Sequence, residues 1–193
     1  ELQQKAPVFE AEEIGQVGNE ALSGLKVIAL DIEVHNPLGK AVIPDEHPIV
    51  MAALYSEGFQ KVITWKRFDT ALEYIEFVSS ELELIERLQQ HVEQLKPDII
   101  TGYFSDGFDL PYLKARADKY RIKFDLGLDG SAISIRKTAT STTADITGIA
   151  HIDVFKFVRG IIRTSLDTTI YDLDSVAKEL LNESKEQVDI ERL

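Results

Sequence analysis

Lys26-Val27-Ile28-Ala29-Leu30-Asp31-Ile32-Glu33-Val34 is the stretch that decides how this chain folds. Five apolar residues, Val27, Ile28, Ala29, Leu30 and Ile32, surround one acid, and a second acid follows two positions on. A near-continuous apolar run rich in β-branched residues reads as a strand buried on both faces. Alternate residues of a strand share a face, so Asp31 and Glu33 are expected to project together from its carboxyl end. Two carboxylates held there repel each other and lose hydration, and they require a counter-charge. Their hard oxygen donors suit Mg²⁺ or Mn²⁺. The plainer alternative is that Asp31 only caps the strand and Glu33 lies in solvent.

Outward from this strand, His35 to Lys40 and Pro44 to Pro48 carry loop chemistry. Ile49 to Tyr55 and Lys61 to Trp65, separated by a turn at Gly58, read as an antiparallel hairpin. From Glu81 to Leu95 the apolar residues Leu82, Leu84, Ile85, Leu88, Val92 and Leu95 fall at helical spacing, with Ser79 or Ser80 as cap. Asp98 to Tyr103 is a short apolar strand. Asp109 to Tyr120 is a second amphipathic helix, with Pro111 in its first turn. Lys123 to Gly148 reads as loop-rich, with a mobile polar run from Thr138 to Thr143. Ile149 to Val154 is a further strand, followed by a helix over Phe155 to Arg159 and a last helix over Asp172 to Leu181. Strands alternating with helices in this order predict an α/β mixed sheet flanked by helices. Sites in such sheets form beyond the carboxyl ends of strands, where Asp31 and Asp109 converge if their strands are neighbours.

The 193 residues suffice for one domain with a substantial core. Residues 1–24 are weakly patterned and are expected to be a lead-in, the remnant of a preceding N-terminal domain. Cysteine is absent, no basic-then-apolar stretch opens the sequence, and no apolar run approaches a membrane span. An intracellular, cytoplasmic setting is therefore expected. The net charge of −12 argues against broad sequence-independent binding to nucleic acid. It leaves room for a narrow acidic site whose metals meet phosphate, with a neighbouring domain supplying most of the backbone attraction.

The segment Thr101-Gly102-Tyr103-Phe104-Ser105-Asp106-Gly107-Phe108-Asp109-Leu110-Pro111-Tyr112-Leu113 is the most specific in the chain. A strand ends, a glycine-containing turn follows, and a helix opens on Phe-Asp-x-Pro-Tyr-Leu. As an isolated residue, Asp109 reads as a helix N-cap. A helix N-terminus also holds a carboxylate rigidly, which a metal site requires. Asp106 is either an acceptor supporting the site or a turn residue, and the turn reading is preferred.

With these residues in view, the chain resembles the 3′–5′ proofreading exonuclease domain of family B DNA polymerases, closest to the archaeal replicative type. Asp31-Ile32-Glu33 is similar to the first exonuclease motif, and Tyr103 to Leu113 to the second, with Asp109 at its catalytic acid. Val62 to Lys66, Val78 to Glu81, Lys96 to Ile100, Asp129 to Ser131, His151 to Val154 and Tyr171 to Val176 follow the same pattern in order. The resemblance implies a ribonuclease H-like fold over residues 25–193 and a metal-dependent nuclease that trims the single-stranded 3′ end of a primer. It implies a two-metal site of Mg²⁺ or Mn²⁺ held by Asp31, Glu33 and Asp109. Asp31 would bridge both ions, Glu33 would position the water, and Asp109 would serve the leaving-group side. The implied partners are DNA and the remaining polymerase domains, with a sliding clamp as a further candidate, in a nucleoid-associated enzyme.

Two departures stand out. Phe104 occupies the place of an Asn that contacts the primer end in the family. Its ring either stacks on a base or belongs to the core, and Phe108 likewise either touches the frayed 3′ end or is buried. The family's third motif, Tyr-x-x-x-Asp, is not matched by Tyr171 and Asp174, so the chain is expected to be a fragment ending before that motif, with little activity alone. A rival reading is a catalytically silent DNA-binding or structural module. A stand-alone exonuclease is disfavoured because His151 and Asp153 lie at the wrong spacing. His35, His47 and His91 need no catalytic role, Trp65 reads as core, and Glu81, Glu83 and Glu86 read as a solvated helix face.

Overall fold

The computed structural model describes residues 23–36 and 41–184, together with 10, 12, 13, 15, 18 and 19. Most of the expected lead-in over 1–24, the Pro37 to Lys40 loop and the final residues 185–193 lie outside the described residues.

The chain order is β1 (Val27–Val34), β2 (Ile49–Ser56), β3 (Phe59–Thr64), β4 (Ile75–Phe77), α1 (Glu81–Leu95), β5 (Ile99–Gly102) and α2 (Asp109–Tyr120). There follow β6 (Ser134–Lys137), β7 (Thr142–Asp145), β8 (Ala150–Asp153) and α3 (Val154–Phe157). A π-helical turn (Val158–Ile162), a 3₁₀ turn (Arg163–Ser165) and α4 (Leu173–Leu181) complete it. Six strands form one mixed sheet in the order β4-β3-β2-β1-β5-β8, and β6 and β7 form a separate ribbon. This is the mixed sheet flanked by helices expected from sequence.

β1 lies at the centre. It pairs antiparallel with β2, which pairs antiparallel with β3, so the predicted hairpin is present. On its other side β1 runs parallel to β5, and β5 runs parallel to β8. The carboxyl ends of β1, β5 and β8 therefore point the same way.

Only one face of β1 is fully covered, which corrects the expectation of burial on both. Ile28, Leu30 and Ile32 are buried in a core shared with Leu84, Ile85 and Leu88 of α1 and Leu110 and Leu113 of α2. Val27 and Asp31 on the other face are exposed. The antiparallel pairing with β2 permits this, because an antiparallel sheet does not need a helical layer on both faces. Near its end the register steps from Glu33–Met51 to Val34–Ile49. Such a bulge bends the strand and re-aims its last side chains.

Helix starts follow local chemistry. Ser80 caps α1 by accepting from Glu83 N–H, and the Glu83 carboxylate returns to the amide and hydroxyl of Ser79. Those bonds hold the Glu83 carboxyl below its ordinary range. Asp172 caps α4 by accepting from Ser175 N–H at 2.7 Å.

Several sequence expectations need correction. Thr142 and Thr143, the end of the supposed mobile polar run, open strand β7, which pairs with β6. β4 escaped notice because it has three residues. The helix expected over Phe155 to Arg159 is α-helical only to Phe157 and then widens into the π turn. Trp65 sits just past β3, not in it, though it does pack half-buried against the core as read, with its indole N–H donating to the Ile49 carbonyl at 2.8 Å. Glu81 is not solvated: it is buried and takes hydrogen bonds from Ile49 N–H (2.7 Å), Arg116 Nε (2.7 Å) and the Tyr120 hydroxyl (2.7 Å). Among the described residues no helix is long and apolar enough to cross a membrane.

Candidate active site

β5 stops at Gly102, while β1 runs on to Val34. The last β1–β5 pair is Ala29–Thr101, so the edge of β1 beyond it has no strand partner on that side. Buried backbone N–H groups must find an acceptor. Asp109 supplies one: its Oδ1 accepts from the amide of Ile32 at 3.1 Å. The amide that receives it lies between Asp31 and Glu33 in the chain. A side chain from the second motif thus docks into the first.

The turn that delivers Asp109 is tightly fitted. At Gly102 a Cβ would come within 2.9 Å of the Leu30 carbonyl oxygen, so β1 and the turn approach closely only because that residue is glycine. Phe108, not Asp109, holds the N-cap position of α2, and no side chain caps it. Asp109 is the first helical residue, and its carboxylate crosses to β1 instead of capping its own helix.

The electrostatics of this acid are unfavourable. Asp109 is 3% exposed. Burial, reinforced by the charges of Asp31 and Asp153, pushes its carboxyl from the ordinary 3.8 up to about 7 despite the hydrogen bond from Ile32. Asp31 itself is exposed on the open face of the sheet, and Glu33 is half-buried on the same face. Strand alternation puts Asp31 and Glu33 on one face, and Asp109 reaches the edge of β1 between them, near enough to Asp31 for its charge to act.

The donor chemistry fits a hard divalent cation, because a buried carboxylate beside a second one gains from a positive charge between them. As they stand, the acids do not form a closed cage: among the described residues no group of three or more His, Asp or Glu is close enough to hold a metal ion.

Behind the acids lies a polar network that the sequence did not reveal. Asp106 is buried, and its Oδ1 accepts from Ala144 N–H at 2.6 Å while Lys156 Nζ bonds its Oδ2. His151 Nδ1 stands 3.2 Å from Asp106 Oδ1, and His151 Nε2 stands 2.9 Å from Ser105 Oγ. The preferred turn reading of Asp106 is incomplete, since its carboxylate also joins β7, β8 and α3. Ser105, His151 and Asp106 follow the order of a hydrolytic triad, yet Ser105 is 1% exposed and out of reach of a substrate. Asp153 of β8 accepts from the amides of Phe104 (2.8 Å), Phe155 (3.0 Å) and Asp106 (3.2 Å). Alternate residues of β8 share a face, and His-x-Asp at the end of a strand, with the acceptor reading of Asp106, was the trace of this network in the sequence.

The two aromatic candidates differ. Phe104 is 48% exposed, in a left-handed conformation with φ +63°, and packs edge-on against Phe155 at 5.2 Å. A Cβ at Gly107 would run into its ring. It lines a groove of about 600 Å³ with Gly107, Asp153, Phe155, Lys156 and Arg159. Phe108 is half-buried, stacked at a tilt on Tyr112 at 5.2 Å and packed against the core. A second, largely apolar hollow of about 350 Å³ opens beside Asp31, between Ala29, Ala53, Tyr55, Tyr103 and Leu173. Tyr103 is fixed there by donating to the Tyr171 carbonyl at 2.7 Å. Burial, then Asp172 and Asp153, raise its phenol above the ordinary value.

Comparison with known proteins matches residues 9–176 to the family model described as DNA polymerase family B, exonuclease domain. The chain is 37% identical over 174 residues to a DNA polymerase of Pyrococcus glycovorans, covering 90% of this chain and 21% of that protein. It is 39% identical over 171 residues to DNA polymerase 1 of Pyrococcus abyssi, covering 89% and 21% respectively. A DNA polymerase of Thermococcus gorgonarius is 33% identical over 179 residues, covering 93% and 22%. The chain spans about a fifth of the length of these relatives.

Proposed function

Since the chain belongs to the exonuclease domain of family B DNA polymerases, we propose that it removes nucleotides from the single-stranded 3′ end of a DNA primer, with Asp31, Glu33 and Asp109 holding Mg²⁺ or Mn²⁺. The observation that carries this reading is the hydrogen bond from Ile32 N–H to Asp109 Oδ1, which seats the second motif's acid inside the first motif. When bound, a pair of divalent ions supplies charge stabilisation to the attacking and leaving oxygens of an in-line displacement. Asp31 and Asp109 present the oxygens that hold such ions. Glu33, on the face of Asp31, orients the attacking water. The apolar hollow beside Asp31 suits the sugar and base of a terminal nucleotide, and the exposed ring of Phe104 suits a stacked base. Phe108 supports the turn from the core side. The remaining polymerase domains supply the basic surface that a chain of net charge −12 lacks, and a sliding clamp is a further partner of the intracellular enzyme. Residues 1–24 then lead in from an N-terminal domain, and 25–193 form the exonuclease domain up to its third motif.

The test is Asp31→Ala in the complete polymerase. Metal-dependent trimming of a single-stranded oligonucleotide should fall by about 10³-fold or more, or at least 4 kcal/mol of transition-state stabilisation, with synthesis retained. Trimming at the wild-type rate refutes the assignment.

A catalytically silent module is the second reading. It is favoured by the lack of a ready three-ligand cluster among the described residues. Calorimetric titration with Mn²⁺ separates the two: heat of binding that disappears in Asp109→Asn supports the nuclease, and no heat in the complete protein supports the silent module.

A further inference from the structure

We propose that Asp153 is a positioning residue for the 3′-end hydrolysis proposed above, on which this inference rests: by gripping the amides of Phe104 and Asp106 it sets Phe104 outward and Asp109 against β1. Asp153 is 6% exposed and stands at the carboxyl end of β8. Its Oδ1 is shared between Phe104 N–H and Phe155 N–H, and its Oδ2 takes Asp106 N–H. One carboxylate thereby joins the turn before α2 to the start of α3.

The grip has a specific conformational object. Phe104 sits at φ +63°, a region that costs a bulky L-residue steric energy. A strained backbone persists only where its surroundings over-determine it. The bonds on either side of Phe104 do this: Asp153 holds its amide, and its carbonyl accepts from Gly107 N–H (2.9 Å) and Phe108 N–H (3.0 Å). The left-handed turn swings the ring out to the groove, where it meets Phe155. It also reverses the chain so that, five residues later, Asp109 faces the open edge of β1. His151, two positions before Asp153, reaches the same turn through Ser105 and Asp106. The third parallel strand of the sheet thus contributes support where β1 and the turn after β5 contribute the acids.

The test replaces Asp153 with asparagine in the complete polymerase and follows both hydrolysis and backbone exchange. Asparagine keeps one acceptor and turns the other position into a donor facing an amide. Circular dichroism should be unchanged. The amides of Phe104 and Asp106 should exchange with solvent about 10-fold faster. For a single-stranded oligonucleotide, kcat should fall about 100-fold, as for a small displacement of a reacting group, with KM within about threefold. Unchanged exchange at both amides, or kcat unchanged while only the melting temperature falls, overturns the proposal. If Asp153→Asn does not fold, Phe104→Gly is compared with Phe104→Gly/Asp153→Asn. Glycine takes the left-handed conformation without strain, so the pair should be folded and the second change should leave exchange around residue 104 within about threefold. An undiminished effect in the glycine background overturns the proposal. Asp31→Ala run in parallel tells the two claims apart: if it leaves trimming intact, the function reading fails while the exchange data still judge the grip.

Discussion

Glu81 and Asp109 are each the first residue of a helix, each is buried, and each carboxylate accepts from the amide of a neighbouring strand residue. Their remaining surroundings are opposite. Glu81 also meets Arg116 through two nitrogens and the Tyr120 hydroxyl. The pairing raises the Arg116 guanidinium, with the hydrogen bond to Glu81 as its main cause. Asp109 faces Asp31 and Asp153, and its carboxyl is pushed up to about 7. A helix N-terminus favours an anion at both places, so the local element does not separate them. What separates them is the sign of the next charge. Glu81 is a finished structural joint between α1, α2 and β2. Asp109 is held in a place where only an added cation or a proton relieves it.

The contrast can be broken first at Arg116. Arg116→Met leaves the Glu81 carboxylate buried beside a neutral side chain, and should lower unfolding free energy by about 3–5 kcal/mol at pH 7. A urea melt measures it, and a loss below about 1 kcal/mol would show that Glu81 is not the closed joint described. Asp109→Asn should have the opposite sign at high pH. The folded carboxyl is raised above its ordinary 3.8, so its contribution to stability is present below pH 4 and is lost as pH rises toward 7. The ionised form is disfavoured on the order of 4 kcal/mol at most. The metal-free variant should therefore be the more stable protein at pH 8, with a flatter profile between pH 4 and pH 7. Chemical melts across that range test the slope. Mg²⁺ sharpens the same comparison: at 100 times its dissociation constant it should stabilise the wild type by about 2.7 kcal/mol. The gain should vanish in Asp109→Asn and survive in a folded variant at Arg116. The smallest effect is at Ser80, whose replacement by Ala should cost about 1 kcal/mol through loss of the α1 cap beside Glu81.

The sequence made one of these two carboxylates legible and hid the other. Asp109 stands out because a strand end, a glycine turn and a helix start surround it within a dozen residues. Glu81 looked solvated because nothing near it in the chain signals burial, and Arg116 lies 35 positions away. The same physics separates the elements. α1 and α2 were bounded correctly by their helical apolar spacing, and β1 by its apolar run. β6 and β7 were missed because each has four residues and only one side chain of the ribbon, Ala144, is fully buried, too little for a hydrophobic alternation to show. The site's acids were readable as types at strand ends. Asp153 was not, because it acts on backbone amides 47 and 49 residues upstream, which leave no mark on side-chain identity.

The early stop of β5 at Gly102 has a consequence for side-chain length. β1 continues from Leu30 to Val34 beyond its last pair with β5, and aspartate reaches that open edge at Ile32 N–H, 3.1 Å away. Glutamate, longer by one methylene, would overshoot that amide or push α2 off the sheet. The choice between two chemically equivalent acids at position 109 is therefore made by where a neighbouring strand ends, and the sheet itself acts as the gauge.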